Sequence, residues 1–450
     1  MNNRNIRVMM LGWEYPPRLA GGLGKACQGL SQAMARRGAQ VFFVLPTFAE
    51  RISEPRLEVV GAREVLMESG GNPDRTEPGS GNIAFIRTSS RMYPYGSAPE
   101  GPMPPGIQRI FVETRTEIRE VPPPAPGGGE IYGKNFWSEI EDFCYTVRQL
   151  AETHTHEVDC VHAHDWMTFP AAFEFQKCTG VPVFLHVHAT EYDRSGDNLN
   201  NDIFRIEREG FRRATHIFAV SRYTAGIIAR LYGVHRKKIS VVYNAPDESA
   251  KSVMSRDNAE RKNQVVFLGR LTFQKGPDHF LKAAALVAKV RTDINFIFCG
   301  TGDLLEKLRA QAHRLGIEDR VHFAGFVEPS AVDRILLNSK VLVMPSVSEP
   351  FGLVALEAIH CGIPVILSKQ SGVREVLPRA LQVDFWDHDK LADQILAALR
   401  LPDLSRQLVN EGMDQIQLLS WDRSAQAVID GYRPYLGSTY AQSIGGGHGH

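Results

Sequence analysis

The chain contains 450 residues, of which 43% are hydrophobic and 23% are charged. This length and composition are typical of a globular protein with two ordinary domains, each long enough to bury its own core. The 51 basic and 51 acidic residues cancel, which argues against a dedicated nucleic-acid-binding protein, and no apolar run reaches the ~20 residues that span a bilayer.

The N-terminal half begins with alternating strands and helices. A predicted strand over residues 6–11 is followed by a helix over 22–37, which ends at Gly38, and by a strand over 41–45. Such a βαβ unit predicts a parallel sheet that is covered on both faces. No signal-peptide pattern precedes the first strand, and the six cysteines form no C-x-x-C pair, so we expect a cytoplasmic protein with free thiols.

A long interruption separates this unit from the rest of the first domain. Residues 67–130 contain Pro- and Gly-rich runs that are incompatible with helices or central strands, so we expect surface insertions there, with a short strand over 83–87 between them. The alternation then resumes as far as residue 245. Its predicted elements are helices over 135–153 and 202–213 and strands over 160–163, 183–187, 216–220 and 239–242.

A polar stretch over residues 246–262 predicts an interdomain linker, and a second α/β series occupies residues 263–418. Its predicted elements, besides a helix after Glu349, are strands over 265–268, 295–299, 321–323, 341–345 and 364–367 and helices over 278–290, 303–315, 389–399 and 403–416. We expect a C-terminal helical segment over 419–436 and a disordered tail over 437–450. The predicted fold is therefore two tandem Rossmann-like, doubly wound α/β domains. Ligands of such sheets bind at the carboxyl ends of the strands, so the cleft between the domains is the expected site.

The first predicted strand leads into a glycine-containing loop with the sequence PPRLAGGLG, residues 16–24. Glycine lets backbone approach a ligand closely, and the start of the next helix offers free N–H groups to an anion, so Gly21 and Gly22 are candidate contacts. An ordinary tight turn is the alternative. The loop is neither G-x-G-x-x-G nor a P-loop, which argues against a dehydrogenase or a P-loop NTPase.

Two neighbouring predicted strands each end in a pair of histidines, His162 with His164 and His186 with His188. The carboxyl ends of parallel strands face the expected cleft, so these side chains are candidate ligand contacts. Two histidines beside Asp165 are also compatible with a metal site, but the pattern lacks a clear third ligand. A buried structural histidine is the other interpretation, above all for His162.

The second domain contributes two motifs, of which the first is GRLTFQKG with the cations Arg270 and Lys275. At a strand-to-helix junction two cations suit a diphosphate, and solvated surface charges are the alternative. The second motif is EPFGLVALE, Glu349–Glu357. Pro350 suits the first turn of a helix that ends near Gly362, which places Glu349 ahead of the helix and Glu357 about two turns inside, ~12 Å away.

These motifs together resemble the retaining glycosyltransferases of the GT-B fold, in particular the family-four group and the glycogen and starch synthases. The resemblance covers nearly the whole chain and includes GWEYPPRLAGGLG, HAHDW and SWDR, the last at residues 420–423. The segment that begins with SWDR resembles the one that crosses back onto the first domain in that family. The resemblance implies a nucleotide-sugar donor, a glycan acceptor and no obligatory metal or other cofactor.

The resemblance also implies roles for the candidate residues. Arg270 and Lys275 would hold the donor diphosphate, Glu349 would contact the sugar hydroxyls, and Glu357 would hydrogen-bond the ribose. His164 would lie near the sugar, with His188 as a second candidate. The loop glycines Gly21 and Gly22 would close on the diphosphate from the first domain. The backbone amides that would hold sugar and phosphate are those of Phe351, Gly352, Leu353 and Val354.

The leading hypothesis is transfer of a hexose, with glucose as the favoured sugar, from a UDP- or ADP-hexose to an α-glucan. The K-T-G-G loop of glycogen synthases is replaced by Leu19–Gly22 (LAGG), and Arg18 is the candidate substitute for its lysine. A lipid or cell-envelope glycan acceptor is the alternative. A nucleotide-sugar epimerase and a donor-binding protein without catalysis are less favoured, because the Arg270, Lys275, Glu349 and Glu357 set is typical of transfer.

Overall fold

The computed structural model describes residues 5–17, 21–46, 52–61, 103, 107, 136–154, 158–246 and 261–442. Two largely parallel sheets follow each other along the chain, which confirms the predicted pair of Rossmann-like domains. The predicted strand over 83–87, nearly all of the 67–130 stretch and most of the 246–262 linker lie outside the described residues. No described helix is long and apolar enough to cross a membrane.

The first sheet has eight strands in the order β3-β4-β2-β1-β5-β6-β7-β8, and all neighbours are parallel except β3 and β4. In chain order its strands are β1 (Arg7–Leu11), β2 (Gln40–Leu45), β3 (Ile52–Glu54), β4 (Leu57–Gly61), β5 (Cys160–His164), β6 (Val183–Val187), β7 (His216–Ala219) and β8 (Ile239–Val241). The order reverses between β1 and β5. This reversal is the switch point at which a doubly wound sheet opens a crevice for ligands.

The second sheet has six parallel strands in the order β11-β10-β9-β12-β13-β14. They are β9 (Gln264–Leu268), β10 (Asn295–Cys299), β11 (Val321–Gly325), β12 (Val341–Met344), β13 (Val365–Ser368) and β14 (Leu381–Val383). Strands such as β12, with the sequence VLVM, are buried along their whole length, as expected for a parallel sheet with both faces covered. The switch point here lies between β9 and β12.

Helices cover both faces of each sheet. Those of the first half are α1 (Gly22–Arg36), α2 (Phe136–His154), α3 (Phe169–Thr179), α4 (Glu191–Ser195), α5 (Asn201–Arg213) and α6 (Arg222–Leu231). Those of the second half are α7 (Pro277–Val290), α8 (Leu305–Arg314), α9 (Pro329–Asn338), α10 (Leu353–His360), α11 (His388–Arg400), α12 (Pro402–Ile416) and α13 (Trp421–Gln442). The sequence interpretation did not include β3, β4, β14, α3, α4, α6 or α9.

The C-terminal helix α13 packs onto the first sheet although it follows the second in the chain. Trp421, Val428 and Tyr432 belong to one buried cluster with Val8 and Phe43 of the first domain. The approach of the helix is close, since a Cβ added to Gly29 would lie 2.3 Å from Cε2 of Trp421. The predicted crossing onto the first domain is therefore confirmed. The helix continues to Gln442, so the expectation of disorder is wrong for residues 437–442.

Candidate active site

The carboxyl ends of the two sheets face each other across a cleft whose walls are joined by side chains. Ser221, between β7 and α6, donates a hydrogen bond from Oγ to the carbonyl of Pro350 at 2.6 Å. Ser348, just after β12, donates to Oδ1 of Asp193 on α4 at 2.5 Å. Glu375 accepts hydrogen bonds from the backbone N–H groups of Arg222 and Tyr223 at the start of α6. These contacts place the EPFGLVALE motif directly against the first domain.

Lys275 and Glu349 form an ion pair inside this cleft. The Lys275 ammonium lies 2.9 Å from Oε1 and 2.8 Å from Oε2 of Glu349. Ser346 adds a hydrogen bond from Oγ to Oε2 at 3.1 Å. The Glu349 side chain is only 7% exposed and that of Lys275 is 23% exposed, so the cation keeps a surface toward the cleft. The two residues are 74 positions apart in the chain, and the structure brings them together as the motifs imply.

The backbone of Glu349 is held as firmly as its side chain. Its N–H donates to the carbonyl of Gln370 at 2.9 Å, and its own carbonyl accepts from the N–H of Gly372 at 2.8 Å. Arg270 lies at the other side of the same junction and donates from Nη2 to Oε1 of Gln274 at 3.3 Å. The cluster is therefore a rigid arrangement of two cations and one carboxylate at the ends of β9 and β12.

The helix start near Glu349 differs from the sequence expectation. Helix α10 begins at Leu353, because Gly352 adopts a left-handed conformation with φ of 108°, and Pro350 precedes the helix instead of lying in its first turn. Glu357 is consequently about one turn inside, not two. The N–H groups of Leu353 and Val354 are in the first turn, where they have no intrahelical carbonyl partner and can bind an anion. Phe351 is 3% exposed, so this residue can offer a ligand only its backbone.

Glu357 faces the first domain, where it pairs with Lys25 of α1. The ammonium of Lys25 lies 2.5 Å from Oε1 of Glu357, across 332 positions of sequence. A cavity of about 100 Å³ lies beside this pair and is lined by α1, α10 and the beginning of α13. A ribose that reached Glu357 would have to share or replace the contact with Lys25, which the sequence interpretation did not include.

The four candidate histidines form one buried cluster at the ends of β5 and β6. His164 Nδ1 lies 2.9 Å from Nε2 of His188, and His162 Nε2 lies 3.2 Å from Nδ1 of His186. His162 Nδ1 also contacts the hydroxyl of Tyr432 on α13 at 2.5 Å. Burial lowers the pKa of all four side chains, which keeps them neutral.

Only one of these histidines can meet a ligand in this conformation. His162, His164 and His186 are fully buried, whereas His188 is partly exposed. Asp165 fixes the exposed member, since its Oδ1 accepts the N–H of His188 at 2.7 Å while its own backbone has a φ of 58°. His164, the first choice from the resemblance, therefore lies beneath His188 as its hydrogen-bond partner.

The cluster also bears on the question of a metal. The ligand atoms of Cys27, His164 and His188 lie within 4.8 Å of one another, and so do those of His162, His164 and His186. The third ligand that the sequence pattern lacked is thus present in space. Nδ1 of His164 already contacts His188, and Nε2 of His162 already contacts His186, whereas Nε2 of His164 and Nε2 of His186 have no hydrogen-bond partner among the described residues. A zinc ion would require each ligand nitrogen at about 2.0–2.1 Å.

The first-domain loop brings Gly21 and Gly22 to the start of α1, with Gly21 at the N-cap. Gly22 is exposed, and no described atom lies within 4 Å of a Cβ added there, so its backbone is open to a ligand. Glu14 lies beneath this loop and accepts hydrogen bonds from the N–H groups of Gly21 and Gly24. Sequence reasoning missed Glu14; its only local sign is an acidic residue at the end of a buried strand, ahead of the glycine loop.

Two Rossmann-like domains that face each other across a cleft make up the GT-B fold. Residues 98–250 match the family described as Glycosyltransferase Family 4, and residues 251–415 match the family described as Glycosyl transferases group 1. The chain belongs to this family-four group of GT-B glycosyltransferases.

Curated relatives and solved structures agree with this assignment. A D-inositol 3-phosphate glycosyltransferase of Segniliparus rotundus is 26% identical, with 92% of this chain and 96% of that protein covered. A glycogen synthase of Mycobacterium tuberculosis is 22% identical, with 83% of this chain and 80% of that protein covered. HepE of Anabaena, solved in complex with UDP-glucose, has the same fold, with a TM-score of 0.64 at 15% identity over 96% of this chain and 100% of that one.

Proposed function

We propose that this protein transfers glucose, with retention of anomeric configuration, from a nucleoside diphosphate sugar to an α-glucan. The observation that carries the proposal is the Lys275–Glu349 ion pair beside Arg270 and the start of α10. Two cations and a helix N-terminus suit a departing nucleoside diphosphate, whose developing negative charge they meet without solvent reorganisation. A named relative that is a glycogen synthase supports the glucan acceptor.

The proposed reaction breaks the bond between C1 of the sugar and the β-phosphate oxygen and forms a bond from C1 to the acceptor oxygen. Attack on the face that the phosphate leaves retains configuration, and the proton of the acceptor hydroxyl passes to the departing phosphate oxygen. Glu349 binds sugar hydroxyls, and its pairing with Lys275 holds it in place. His188 contacts the sugar from the first domain, with His164 behind it, and Glu357 receives the ribose.

The acceptor has a second candidate. The inositol-phosphate glycosyltransferase relative matches at higher identity and over more of the chain than the glycogen synthase does, which favours a small phosphorylated polyol. A lipid or cell-envelope glycan remains the third alternative. The three differ in the acceptor alone, so one donor assay with different acceptors separates them.

The test is release of nucleoside diphosphate from UDP-, ADP- and GDP-glucose, with glycogen, inositol 3-phosphate or no acceptor present. We expect release that depends on glycogen, and an NMR spectrum of the product that shows an α-linkage. Release with inositol 3-phosphate and not with glycogen would assign the second acceptor. If the protein releases nucleotide from none of these donors, whichever acceptor is present, the proposal is wrong.

Metal independence is part of the same proposal. The charge that a divalent cation would otherwise neutralise is met by Arg270, Lys275 and the amides of α10. Dialysis against EDTA should leave the rate of transfer within twofold of its starting value. Complete loss on chelation, with recovery on adding zinc, would show instead that the histidine cluster or the diphosphate needs a metal.

A further inference from the structure

Glu14 is a buried carboxylate at the point where the two domains meet. It lies three residues after β1 and is 4% exposed. Gly21, at the N-cap of α1, has no side chain with which to cap the helix, and Glu14 supplies the missing acceptor for the N–H groups of Gly21 and Gly24. One function of its carboxylate is therefore to hold the glycine loop in place.

The second carboxylate oxygen of Glu14 is not needed for this cap. Oε2 of Glu14 is buried and accepts no hydrogen bond from any residue that the structure describes. It lies beside Gly21, since a Cβ added to that glycine would be 3.0 Å from it. A buried polar atom without a partner costs about 1–3 kcal/mol, so such an atom at the edge of a ligand cleft is positioned to bind the ligand.

The charges around Glu14 are those of the proposed sugar site. The charges of Arg270 of the second domain and of Asp165 at the end of β5 both act on the pKa of Glu14, and Glu14 in turn raises the pKa of the Cys27 thiol on α1. Burial raises the pKa of Glu14 to about 7, although the two glycine amides and Arg270 act in the opposite direction. The carboxyl is therefore present in both protonation states near neutral pH.

The presence of both protonation states restricts which chemical group of a ligand can bind Oε2 of Glu14. A sugar hydroxyl both donates and accepts hydrogen bonds, so it can pair with Oε2 in either state, and it binds the ionised form more strongly because a hydrogen bond to a charged acceptor is about twice as strong as a neutral one. A phosphate oxygen would be repelled by the ionised form, and an ammonium group would lose its partner in the protonated form. The oxygen lies beside the exposed Gly21, and the charge of Arg270 of the second domain acts on the same carboxyl, so the hydroxyl belongs to a molecule in the cleft.

We propose that Glu14 is a sugar-binding residue whose Oε2 takes a hydroxyl group of either the transferred hexose or the acceptor glycan. This assignment rests on the proposed transfer reaction. It adds to the site a first-domain carboxylate that acts opposite Glu349, so that the sugar lies between acidic groups of both domains.

The test compares Glu14→Gln with the parent protein by calorimetric titration of UDP, UDP-glucose, ADP and ADP-glucose, and by the KM for glycogen. Gln keeps an acceptor oxygen for the loop amides, so affinity for free UDP or ADP should stay within twofold. If the hydroxyl belongs to the hexose, affinity for the sugar nucleotide falls about tenfold or more. If it belongs to the acceptor, affinity for the sugar nucleotide is unchanged and the KM for glycogen rises by a similar factor.

Glu207→Gln is the matched control, because Glu207 is also a buried carboxylate of the first domain with a raised pKa, but both of its oxygens accept hydrogen bonds from Glu191 N–H. It should change neither sugar affinity nor KM. Unchanged values for Glu14→Gln in an active protein would overturn the assignment alone. A parent protein that binds none of the four nucleotides would overturn both the assignment and the proposed function.

Discussion

Glu349→Gln is the substitution for which the structure predicts the clearest result. It keeps the shape of the side chain, but it removes the charge that Lys275 contacts at 2.8 and 2.9 Å. In the proposed reaction Glu349 binds sugar hydroxyls while Lys275 meets the charge of the leaving group. A single preorganised contact to a transition state is worth about 10²–10³ in kcat, or roughly 2.7–4 kcal/mol, and we expect a loss of that size.

The same substitution has a calculable effect on stability. Removing one partner of a fully buried ion pair costs about 3–5 kcal/mol, whereas exposed pairs are worth about 0.2–1 kcal/mol. Glu349 is nearly buried and Lys275 is 23% exposed, so the free energy of unfolding should fall by about 1–3 kcal/mol. Adding Lys275→Met removes the cation that Glu349→Gln leaves without its carboxylate partner. The double variant should therefore be no less stable than Glu349→Gln alone.

The assays are the rate of nucleotide release at saturating donor and the midpoint of thermal unfolding. Glu306→Gln is the control, because this glutamate of α8 is 86% exposed and lies outside the cleft. The reasoning is refuted if Glu349→Gln keeps more than half of the parental kcat while its unfolding midpoint shows that the ion pair was lost.

Three further predictions follow from contacts around the cleft. Lys25→Met removes the cation that competes with the ribose for Glu357. The Lys25 and Glu357 side chains are 33% and 17% exposed, so their ion pair is worth about 0.2–1 kcal/mol and UDP should bind up to about fivefold more tightly. Weaker binding would mean that Lys25 itself contacts the nucleotide. Glu14 binds its proton more tightly in the folded state, so its contribution to stability is present below pH about 4.5 and is lost as the pH rises to about 7. Over that range the free energy of unfolding of Glu14→Gln, measured in urea, should rise relative to that of the parent by up to about 3 kcal/mol. A difference that stays constant with pH would contradict the raised pKa. Gly29→Ala would place a Cβ 2.3 Å from Trp421 and should lower stability by about 1–3 kcal/mol, whereas Gly226→Ala, with no described atom within 4 Å of the added carbon, should not lower it.

Local patterns in the sequence were sufficient for most of the fold. Strands such as β10 and β12 are short apolar runs between polar turns, and their bounds are predicted to within one or two residues. Helix α3 was missed because its sequence, FPAAFEFQKCT, is apolar on nearly every side and lacks the periodic pattern of a surface helix. Strands β3 and β14 have three residues each, which is too short for a pattern to stand out.

The candidate site divides in a similar way. The approach of Arg270, Lys275 and Glu349 follows from motifs that lie at strand ends, because carboxyl ends of neighbouring parallel strands share one edge. The Lys25–Glu357 pair and the cap that Glu14 places on α1 join residues whose local sequence has no sign of the partner. The later start of α10 depends on Gly352, whose left-handed backbone no helix-start rule would favour over the proline at 350.

Helix α13 has a consequence for how the protein is made. The ribosome synthesises the chain from the N-terminus, so the second sheet is complete before residues 421–436 emerge. Until then the surface that Trp421 and Tyr432 cover on the first domain is exposed, and His162 lacks its contact with the Tyr432 hydroxyl. The domain that is synthesised first is therefore the last to complete its core, and a chain that stops before α13 leaves the nascent first domain with an apolar face open to aggregation.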